Sequence, residues 1–272
     1  MNKKKIGFIG CGQMGQAMIH GMIQAKVLQA DQISATALTD DTIDYVAEEY
    51  GIEITNDNKK VAAESDILFL AVKPYIYQGV VAEIKSSVRE NTIVVTIAAG
   101  ITIDTIKNAF GFNVKVIRSM PNTPALVGEG MSVLSPNEFV TADELASVKE
   151  LFESFGETEV LAEGLMDAVP GVSGSAPAFV YMFIEAMADG AVQQGLPRDK
   201  AYKLAAQTVK GSAKMVLETG SHPAELKDAV CTPAGTTIAG VAALEQTGMR
   251  NSVIQAVNAC TERAKELSKG KK

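Results

Sequence analysis

A short apolar segment that runs into a glycine-rich turn constrains the fold of this chain more than any other feature. Residues 6–9 read Ile-Gly-Phe-Ile, and the turn Gly10-Cys11-Gly12-Gln13-Met14-Gly15 carries glycine at its first, third and sixth positions. A helical pattern follows. A strand, a glycine turn and a helix in this order are typical of the first β–α unit of a dinucleotide-binding domain. There the three glycines allow a tight turn, the approach of a pyrophosphate to the backbone, and close packing of the helix on the strand.

The first 162 residues alternate short apolar runs with helical patterns. Strands are predicted at 5–9, 32–36, 67–70, 92–97 and 115–118, with weaker ones at 131–134 and 158–161. Helices are predicted at 13–24, 42–50, 76–88, 102–110 and 142–155. Because the strands are nearly continuous apolar runs, we expect parallel winding with helices on both faces of the sheet. The sequence therefore predicts an α/β fold whose N-terminal domain, residues 1–162, contains a Rossmann-like doubly wound sheet.

The pattern changes near residue 163, where strand signals disappear. Helices are predicted at 178–194, 199–219, 223–230, 236–246 and 251–268. The helix at 178–194 is apolar over most of its circumference, which indicates burial on several sides. We therefore predict an all-helical C-terminal domain, residues 163–272, whose apolar faces need either a compact bundle or a partner chain.

Composition argues against several classes of function. The formal net charge is −7 and no basic stripe is present, so nucleic-acid binding is not expected. No apolar run reaches the ~18 residues of a membrane span. Three widely spaced cysteines (Cys11, Cys231 and Cys260) and two histidines argue against a metal site and against disulfides. Because the N-terminus runs straight into the first strand, we expect a cytoplasmic protein.

Loops at the carboxyl ends of parallel strands line one crevice, where ligands of open α/β sheets bind. The candidate dinucleotide contacts are Gly10, Gly12, Gln13, Met14 and Gly15 in the glycine turn, Thr36 and Ala37 at the ribose 2′ position with Asn58 nearby, and the loops Ala71-Val72-Lys73-Pro74, Ala98-Ala99-Gly100 and Asn122. The second strand ends without the acidic residue that usually binds the 2′-hydroxyl of NAD. A 2′-phosphate can then be accepted, so we predict NADPH as the cofactor, with NADH also used.

Six short sequence motifs follow one another along the chain. They are the glycine turn, Ala71-Val72-Lys73-Pro74, Ala98-Ala99-Gly100, Met120-Pro121-Asn122-Thr123-Pro124, Gly171-Val172-Ser173-Gly174-Ser175-Ala176-Pro177-Ala178-Phe179 and Leu226-Lys227-Asp228-Ala229-Val230-Cys231-Thr232-Pro233-Ala234-Gly235-Thr236-Thr237-Ile238. In these segments the chain resembles the pyrroline-5-carboxylate reductases. The resemblance implies NAD(P)H-dependent reduction of 1-pyrroline-5-carboxylate to L-proline, the last step of proline biosynthesis. It also implies a homodimer with interlocked helical domains, which some members gather into larger rings.

Two segments depart from the pattern of that family. A loop that commonly reads Pro-Gly-Gly is Pro233-Ala234-Gly235 here, a conservative change unless position 234 needs a positive φ. Many bacterial members carry an arginine just past the second strand, and Thr36-Ala37-Leu38-Thr39 lacks one. Strong selectivity for NADPH is therefore not expected.

Reduction of a cyclic imine does not require a strong catalytic acid, since the imine nitrogen takes a proton from solvent before binding. The site then needs orientation, a hydrogen bond to the nitrogen and an anchor for the carboxylate. The hydroxyl-rich run 230–238 enters a helix, whose N-terminal N–H groups favour a carboxylate. The candidate substrate contacts are Val230, Thr232, Gly235, Thr236, Thr237 and Ser175. Thr237 is the expected catalytic contact and Lys73 the alternative proton donor; the two threonines could instead only cap the helix, and Ser175 could only hold its turn.

Two other functions fit parts of the sequence. A short β-hydroxyacid dehydrogenase opens with a similar turn, and Lys210 and Lys214 superficially match its catalytic lysine. A non-catalytic relative would bind the dinucleotide as a sensor. The threonine-rich loop argues against both. His20 lies too far along the first helix for acid–base catalysis, and His222 lies at a helix start where Ser221 is the expected cap.

Overall fold

The computed structural model describes residues 4–269, which contain an eight-stranded sheet. Its strands are β1 (Ile6–Ile9), β2 (Ile33–Thr36), β3 (Glu53–Thr55), β4 (Ile67–Leu70), β5 (Ile93–Thr96), β6 (Lys115–Met120), β7 (Gly130–Pro136) and β8 (Gly156–Val160). They lie in the order β3-β2-β1-β4-β5-β6-β7-β8. The strand order therefore reverses between β1 and β4, beside the glycine turn, and such a reversal is where open α/β sheets bind ligands. The predicted α/β fold is confirmed.

The helices of this region are α1 (Gln13–Gln24), α2 (Asp40–Tyr50), α3 (Asn58–Glu64), α4 (Tyr77–Ile84), α5 (Ile103–Phe110) and α6 (Ala142–Glu153). Local signals fix several of their ends. The Thr102 hydroxyl accepts the N–H of Thr105 at the start of α5, and Thr141 forms a reciprocal capping box with Glu144 at the start of α6. Neither β3 nor α3 was predicted from the sequence.

The strand β7 departs from the expected parallel winding. It pairs antiparallel with β6, whereas the other neighbouring strands are parallel. The connection from β6 to β7 contains a short 3₁₀ helix, Thr123–Val127, in place of a crossover helix. A parallel crossover takes a dozen or more residues, so this connection turns the chain back beside β6.

The sheet is buried on both faces, as the continuous apolar strands predict. Phe8 and Phe69 stack with ring centroids 4.7 Å apart on the face that Phe152 of α6 also covers. Leu68 and Leu70 belong to the cluster on the opposite face. Alternate residues of one strand thus serve two cores, and this fixes the register of the strand ends that carry the loops.

The chain divides into two compact units. One comprises the chain up to Ser175 together with the segment from Ala259 onward, and the other is Ala176–Asn258. The second unit holds α7 (Ala176–Gln193), α8 (Arg198–Thr219), α9 (Pro223–Val230), α10 (Thr236–Gln246) and the first part of α11 (Met249–Ser268). In this division residues 163–175 and the last turns of α11 belong to the unit that contains the sheet. No helix within residues 4–269 combines the length and apolarity needed to cross a membrane.

The helix α7 is covered only in part within residues 4–269. Ala188 is buried, but Tyr181 is 59% exposed and Met182 is 68% exposed. The expected burial on several sides is therefore not reached within one chain. Of the two alternatives that the sequence left open, the exposed apolar side chains favour a partner chain over a compact bundle.

We expect the chain to be an obligate homodimer with an extensive apolar interface, because α7 presents large apolar side chains to solvent in the single chain. Sedimentation at micromolar concentration should show a dimer, and dilution should bring loss of folded structure together with dissociation. A folded and active monomer at that concentration would contradict this prediction.

Candidate functional site

The glycine turn has the geometry that a phosphate cradle needs. Gly10 adopts a φ of +90°, and a Cβ built there would lie 2.9 Å from Val72 Cγ1. A Cβ on Gly15 would lie 3.1 Å from the Gly10 carbonyl oxygen, whereas one on Gly12 would meet nothing within 4 Å. The packing of the protein itself thus requires Gly10 and Gly15, while the space over Gly12 is open to a ligand. The residues present fit a bound pyrophosphate.

The N-terminus of α1 adds backbone donors to this turn. Its N-cap is Gly12, which has no side chain to cap the N–H groups of Gln13 and Met14. Burial raises the pKa of the neighbouring Cys11 thiol to about 12. The thiol is therefore protonated at neutral pH, so it adds no negative charge where the helix N-terminus favours an anion.

Two side chains hold the glycine turn in place. The Gln16 amide, whose role was not predicted from the sequence, donates to the Cys11 carbonyl oxygen at 3.0 Å. The N–H of Gly10 donates to Thr36 Oγ1, also at 3.0 Å. Thr36 is buried, so its side chain supports the turn, which differs from the contact expected at the 2′ position. Beyond the end of β2, Ala37 is half-buried and Leu38 is fully exposed.

The side chain of Asn58 is also engaged. It begins α3, and its Nδ2 donates to Glu83 Oε2 of α4 at 3.0 Å. A contact between Asn58 and the ribose end of a dinucleotide would have to replace this hydrogen bond.

The loop after β4 lies against the glycine turn, as predicted. The Ala71 N–H donates to the Ile9 carbonyl oxygen at 2.9 Å, and Ala71 and Val72 both border Gly10. Lys73 is exposed ahead of the 3₁₀ helix Pro74–Ile76. Across the part of the chain that the structure describes, its ammonium group has no ion-pair partner, which leaves it available to a ligand.

The loop after β5 offers a surface of small residues. The Ala98 N–H donates to Thr96 Oγ1 at 3.3 Å, and Gly100 adopts a φ of +76°. A Cβ on Gly100 would lie 2.9 Å from Leu267 Cβ, in the last turn of α11. The last turn of α11 therefore backs this loop of small residues.

Asn122 braces two loops. Its Oδ1 accepts the Met131 N–H at 2.9 Å, its Nδ2 donates to the Ser173 carbonyl oxygen at 3.2 Å, and the residue is 8% exposed. The N–H of Ser175 donates to the Pro170 carbonyl oxygen at 2.7 Å, which closes the π-helical turn Pro170–Gly174. These contacts favour the loop-holding role of Asn122 over direct contact of its amide with a cofactor.

Five of the six predicted substrate residues lie between α9 and the start of α10 in the second unit, whereas Ser175 ends the N-terminal segment of the first unit. The Gly235 N–H donates to the Thr232 carbonyl oxygen at 3.0 Å, and a Cβ on Gly235 would lie 2.3 Å from Thr232 Oγ1. Gly235 is the N-cap of α10, so Thr236 and Thr237 are its first residues and not its cap. Within residues 4–269 the half-buried Thr237 hydroxyl has no hydrogen-bond partner. Val230, at the end of α9, is 62% exposed. The cluster thus offers free N–H groups and a free hydroxyl to an anionic ligand.

Position 234 does need a positive φ. Ala234 adopts a φ of 55° in the turn before α10. For a residue with a Cβ the left-handed conformation costs about 1–2 kcal/mol. Alanine in the place of the family's glycine is therefore not a conservative change.

Replacing Ala234 by glycine should raise the free energy of unfolding by up to about 1 kcal/mol, because the relief of strain exceeds the added flexibility of the unfolded chain. Urea denaturation at fixed protein concentration measures this change. The matched control is Ala242→Gly in the middle of α10, which should lower the free energy of unfolding by about 1 kcal/mol. Destabilisation by both substitutions would contradict the assigned backbone conformation.

The two histidines and Lys214, one of the two lysines of the rival function, have other contacts. His222, not Ser221, is the N-cap of α9, and its Nδ1 accepts the Ala224 N–H at 3.1 Å. The His20 ring packs edge-on against Tyr50. Lys214 pairs with Glu218 at 3.3 Å on the exposed surface of α8. None of these three residues has the setting of a catalytic acid or base.

Two family models match the chain. The model described as pyrroline-5-carboxylate reductase dimerisation matches residues 163–267, and the model described as NADP oxidoreductase coenzyme F420-dependent matches residues 5–100. The pyrroline-5-carboxylate reductase of Escherichia coli (strain K12) is 51% identical over 98% of this chain and 99% of its own length. A solved pyrroline-5-carboxylate reductase from Coxiella burnetii superposes with a TM-score of 0.92 at 34% identity, covering 97% of this chain and 98% of its own. The NADP-bound pyrroline carboxylate reductase of Plasmodium falciparum gives 0.88 at 32% identity, covering 98% and 99%. This chain therefore belongs to the pyrroline-5-carboxylate reductase family.

Proposed function

We propose that this chain catalyses the NAD(P)H-dependent reduction of 1-pyrroline-5-carboxylate to L-proline, the last step of proline biosynthesis. The observation that carries the proposal is the 51% identity, over nearly the full length of both chains, to the Escherichia coli protein of that name. Two clusters of residues support it. The first unit supplies a phosphate cradle and the second supplies a helix N-terminus with a free hydroxyl.

The dinucleotide is held by the first unit in this proposal. The turn Gly10–Gly15 and the N–H groups at the start of α1 would bind the pyrophosphate, with Ala37 at the ribose 2′ position. The small residues of the loop Ala98–Gly100 would lie against the nicotinamide ring. When bound, the reduced nicotinamide supplies the hydride.

The substrate is held by the loop that enters α10. The N–H groups of Thr236 and Thr237 anchor the carboxylate, and the Thr237 hydroxyl accepts a hydrogen bond from the protonated imine nitrogen. Hydride addition forms a C–H bond while the π electrons of the C=N bond move to nitrogen, so this step needs no strong acid or base. If the imine arrives unprotonated, the ammonium group of Lys73 is the donor available on the first unit.

The cofactor preference depends on the end of β2. Replacing Ala37 by aspartate should shift preference from NADPH towards NADH, because the carboxylate repels a 2′-phosphate. At ~4 Å the repulsion is about 1 kcal/mol in water and about 4 kcal/mol near a protein surface, so the NADPH/NADH ratio of kcat/KM should fall roughly tenfold or more. Ala37→Asn is the control, because asparagine has the same size as aspartate but carries no charge. An unchanged ratio in the aspartate variant would show that the 2′ position lies elsewhere.

We also propose that the protein works as a homodimer in the cytoplasm. The match of residues 163–267 to a dimerisation domain and the exposed apolar side chains of α7 support self-association. The free cysteines Cys11, Cys231 and Cys260 support a reducing compartment. A ring of dimers, which the family resemblance allows, would sediment as a larger species in the experiment above.

The decisive experiment is an assay at the nicotinamide absorbance with purified protein, NADPH and 1-pyrroline-5-carboxylate. Oxidation of NADPH with formation of proline is the expected result. If the imine gives no turnover but a 3-hydroxyacid with NADP⁺ does, the chain is a hydroxyacid dehydrogenase and the proposal is wrong. If the dinucleotide binds and neither substrate turns over, the chain is a sensor.

A further inference from the structure

A charged side chain is buried behind the loops of the first unit. Arg118 lies in β6, where its neighbours Val116 and Ile117 are fully buried, and it is itself 3% exposed. Its guanidinium group lies 2.8 Å from Asp167 Oδ1 and 3.4 Å from Glu163 Oε1. Its Nε is buried and has no partner within residues 4–269. A buried ionic group of this kind is costly to keep, and an apolar residue would often pack at least as well. The cost of burying this charge therefore indicates that Arg118 has a role beyond packing.

Each of the two acids makes one further contact, and both contacts lead to the loop Ala98–Gly100. Glu163 Oε1 accepts the N–H of Ile103, the first residue of α5, at 2.7 Å. Asp167 Oδ1 accepts the Ser268 hydroxyl at 2.9 Å, at the end of α11. The first contact fixes the exit of the loop, since only Ile101 and Thr102 separate the loop from α5.

The second contact fixes the back of the loop. Leu267 precedes Ser268 in α11. A Cβ built on Gly100 would lie 2.9 Å from the Cβ of Leu267. The last turn of α11 therefore touches the backbone of Gly100, and a shift of this turn has to move the loop or leave a gap behind it.

We propose that Arg118 is a positioning residue for the loop Ala98–Gly100. Through Glu163 it holds the start of α5, and through Asp167 and Ser268 it holds the end of α11 against Gly100. The inference rests on the proposed function in one respect, namely that this loop receives the nicotinamide ring. Arg118 itself touches neither cofactor nor substrate in this assignment.

The test uses the full-length protein and four single substitutions. Ser268→Ala removes the link to α11, Asp167→Asn weakens the link to Arg118, Arg118→Gln removes the charge, and Arg118→Lys keeps it. Arg89→Gln is the matched control, because it breaks an exposed ion pair with Asp66, also 2.8 Å long, in another part of the first unit. The Kd of NADPH is measured by its fluorescence without substrate, and kcat and both KM values follow from steady-state assays.

We expect the Kd of NADPH to rise about twofold to tenfold in Ser268→Ala, the loss of one hydrogen bond. The Kd of NADPH should rise roughly tenfold to a hundredfold in Arg118→Gln. The kcat of this variant should fall in parallel, because small displacements of reacting groups lower the reaction rate strongly. Arg118→Lys should recover part of the loss. The KM for 1-pyrroline-5-carboxylate should stay near the wild-type value, as should all constants of Arg89→Gln.

A role in folding alone would give a different pattern, with reduced stability and an unchanged Kd of NADPH in the folded fraction. Should Arg118→Gln fail to fold, Ser268→Ala and Asp167→Asn decide, and a wild-type Kd and kcat in both overturns the inference. The binding measurement needs no imine. A wild type that binds NADPH but does not reduce the imine would refute the proposed function without affecting this test.

Discussion

In a Gly12→Val variant, we expect NADPH binding to weaken by about a hundredfold while the fold persists. The space over Gly12 is open, since a Cβ there meets no protein atom within 4 Å. A side chain can therefore be accommodated by the protein, and it occupies the place where the pyrophosphate approaches the backbone. Displacement of a reacting group by about 1 Å can lower a reaction rate roughly a hundredfold, and we expect a loss of the same order in affinity when the pyrophosphate is displaced. Fluorescence titration gives the Kd, and urea denaturation gives the stability.

Two other substitutions make this test specific. Gly12→Ala adds one methyl group and should give an intermediate loss of affinity. Gly79→Ala adds the same group at another open position, in α4, and should leave the Kd unchanged. Gly10→Ala is expected to behave differently from all of these, because its φ of +90° and the contact with Val72 make the substitution strain the fold itself. A Gly12→Val protein with wild-type affinity would mean that the pyrophosphate does not lie over this turn.

The fold could be predicted where local signals are strong. The bounds of α1, α9 and α10 follow from the glycine turn, from Pro223 in the first turn of α9, and from the Gly235 turn. The pair β3 and α3 was missed for a physical reason. β3 is three residues long with one apolar side chain, and α3 has seven residues, too few to show a helical period. Only the cap at Asp57, which accepts the N–H groups of Lys59 and Lys60, marked the start of α3.

The positions of loops at the strand ends could be predicted from the sequence. The roles of single side chains were predicted less well when their hydrogen-bond partners lie far away in the sequence. The closeness of Ala71 and Val72 to the glycine turn followed from strand order. Thr36, by contrast, faces Gly10 across a sequence separation that no local pattern reveals. Arg118 gave a faint signal, a charge within an otherwise apolar strand, but its two acids lie far along the chain in segments without periodicity.

The mechanism depends most on Thr237. Thr237→Ala should lower kcat/KM for 1-pyrroline-5-carboxylate without changing the Kd of NADPH. A hydrogen bond from a charged donor such as the iminium N–H contributes about 1.5–3 kcal/mol. We therefore expect roughly a tenfold to several-hundredfold loss. Steady-state kinetics at saturating NADPH measure this loss.

The structure makes this expectation sharper, because Gly235 is the N-cap of α10 and the Thr237 hydroxyl has no partner within residues 4–269. Removing the hydroxyl should then cost little stability, so a loss of activity is attributable to the substrate. Thr237→Ser keeps the hydroxyl and should recover much of the activity. Thr232→Ala, earlier in the same loop, should raise KM more than it lowers kcat. Near-normal turnover of Thr237→Ala would remove this residue from the chemistry. Positioning by the N–H groups of α10 would then carry the reaction, with Lys73 or a bound water as the proton donor.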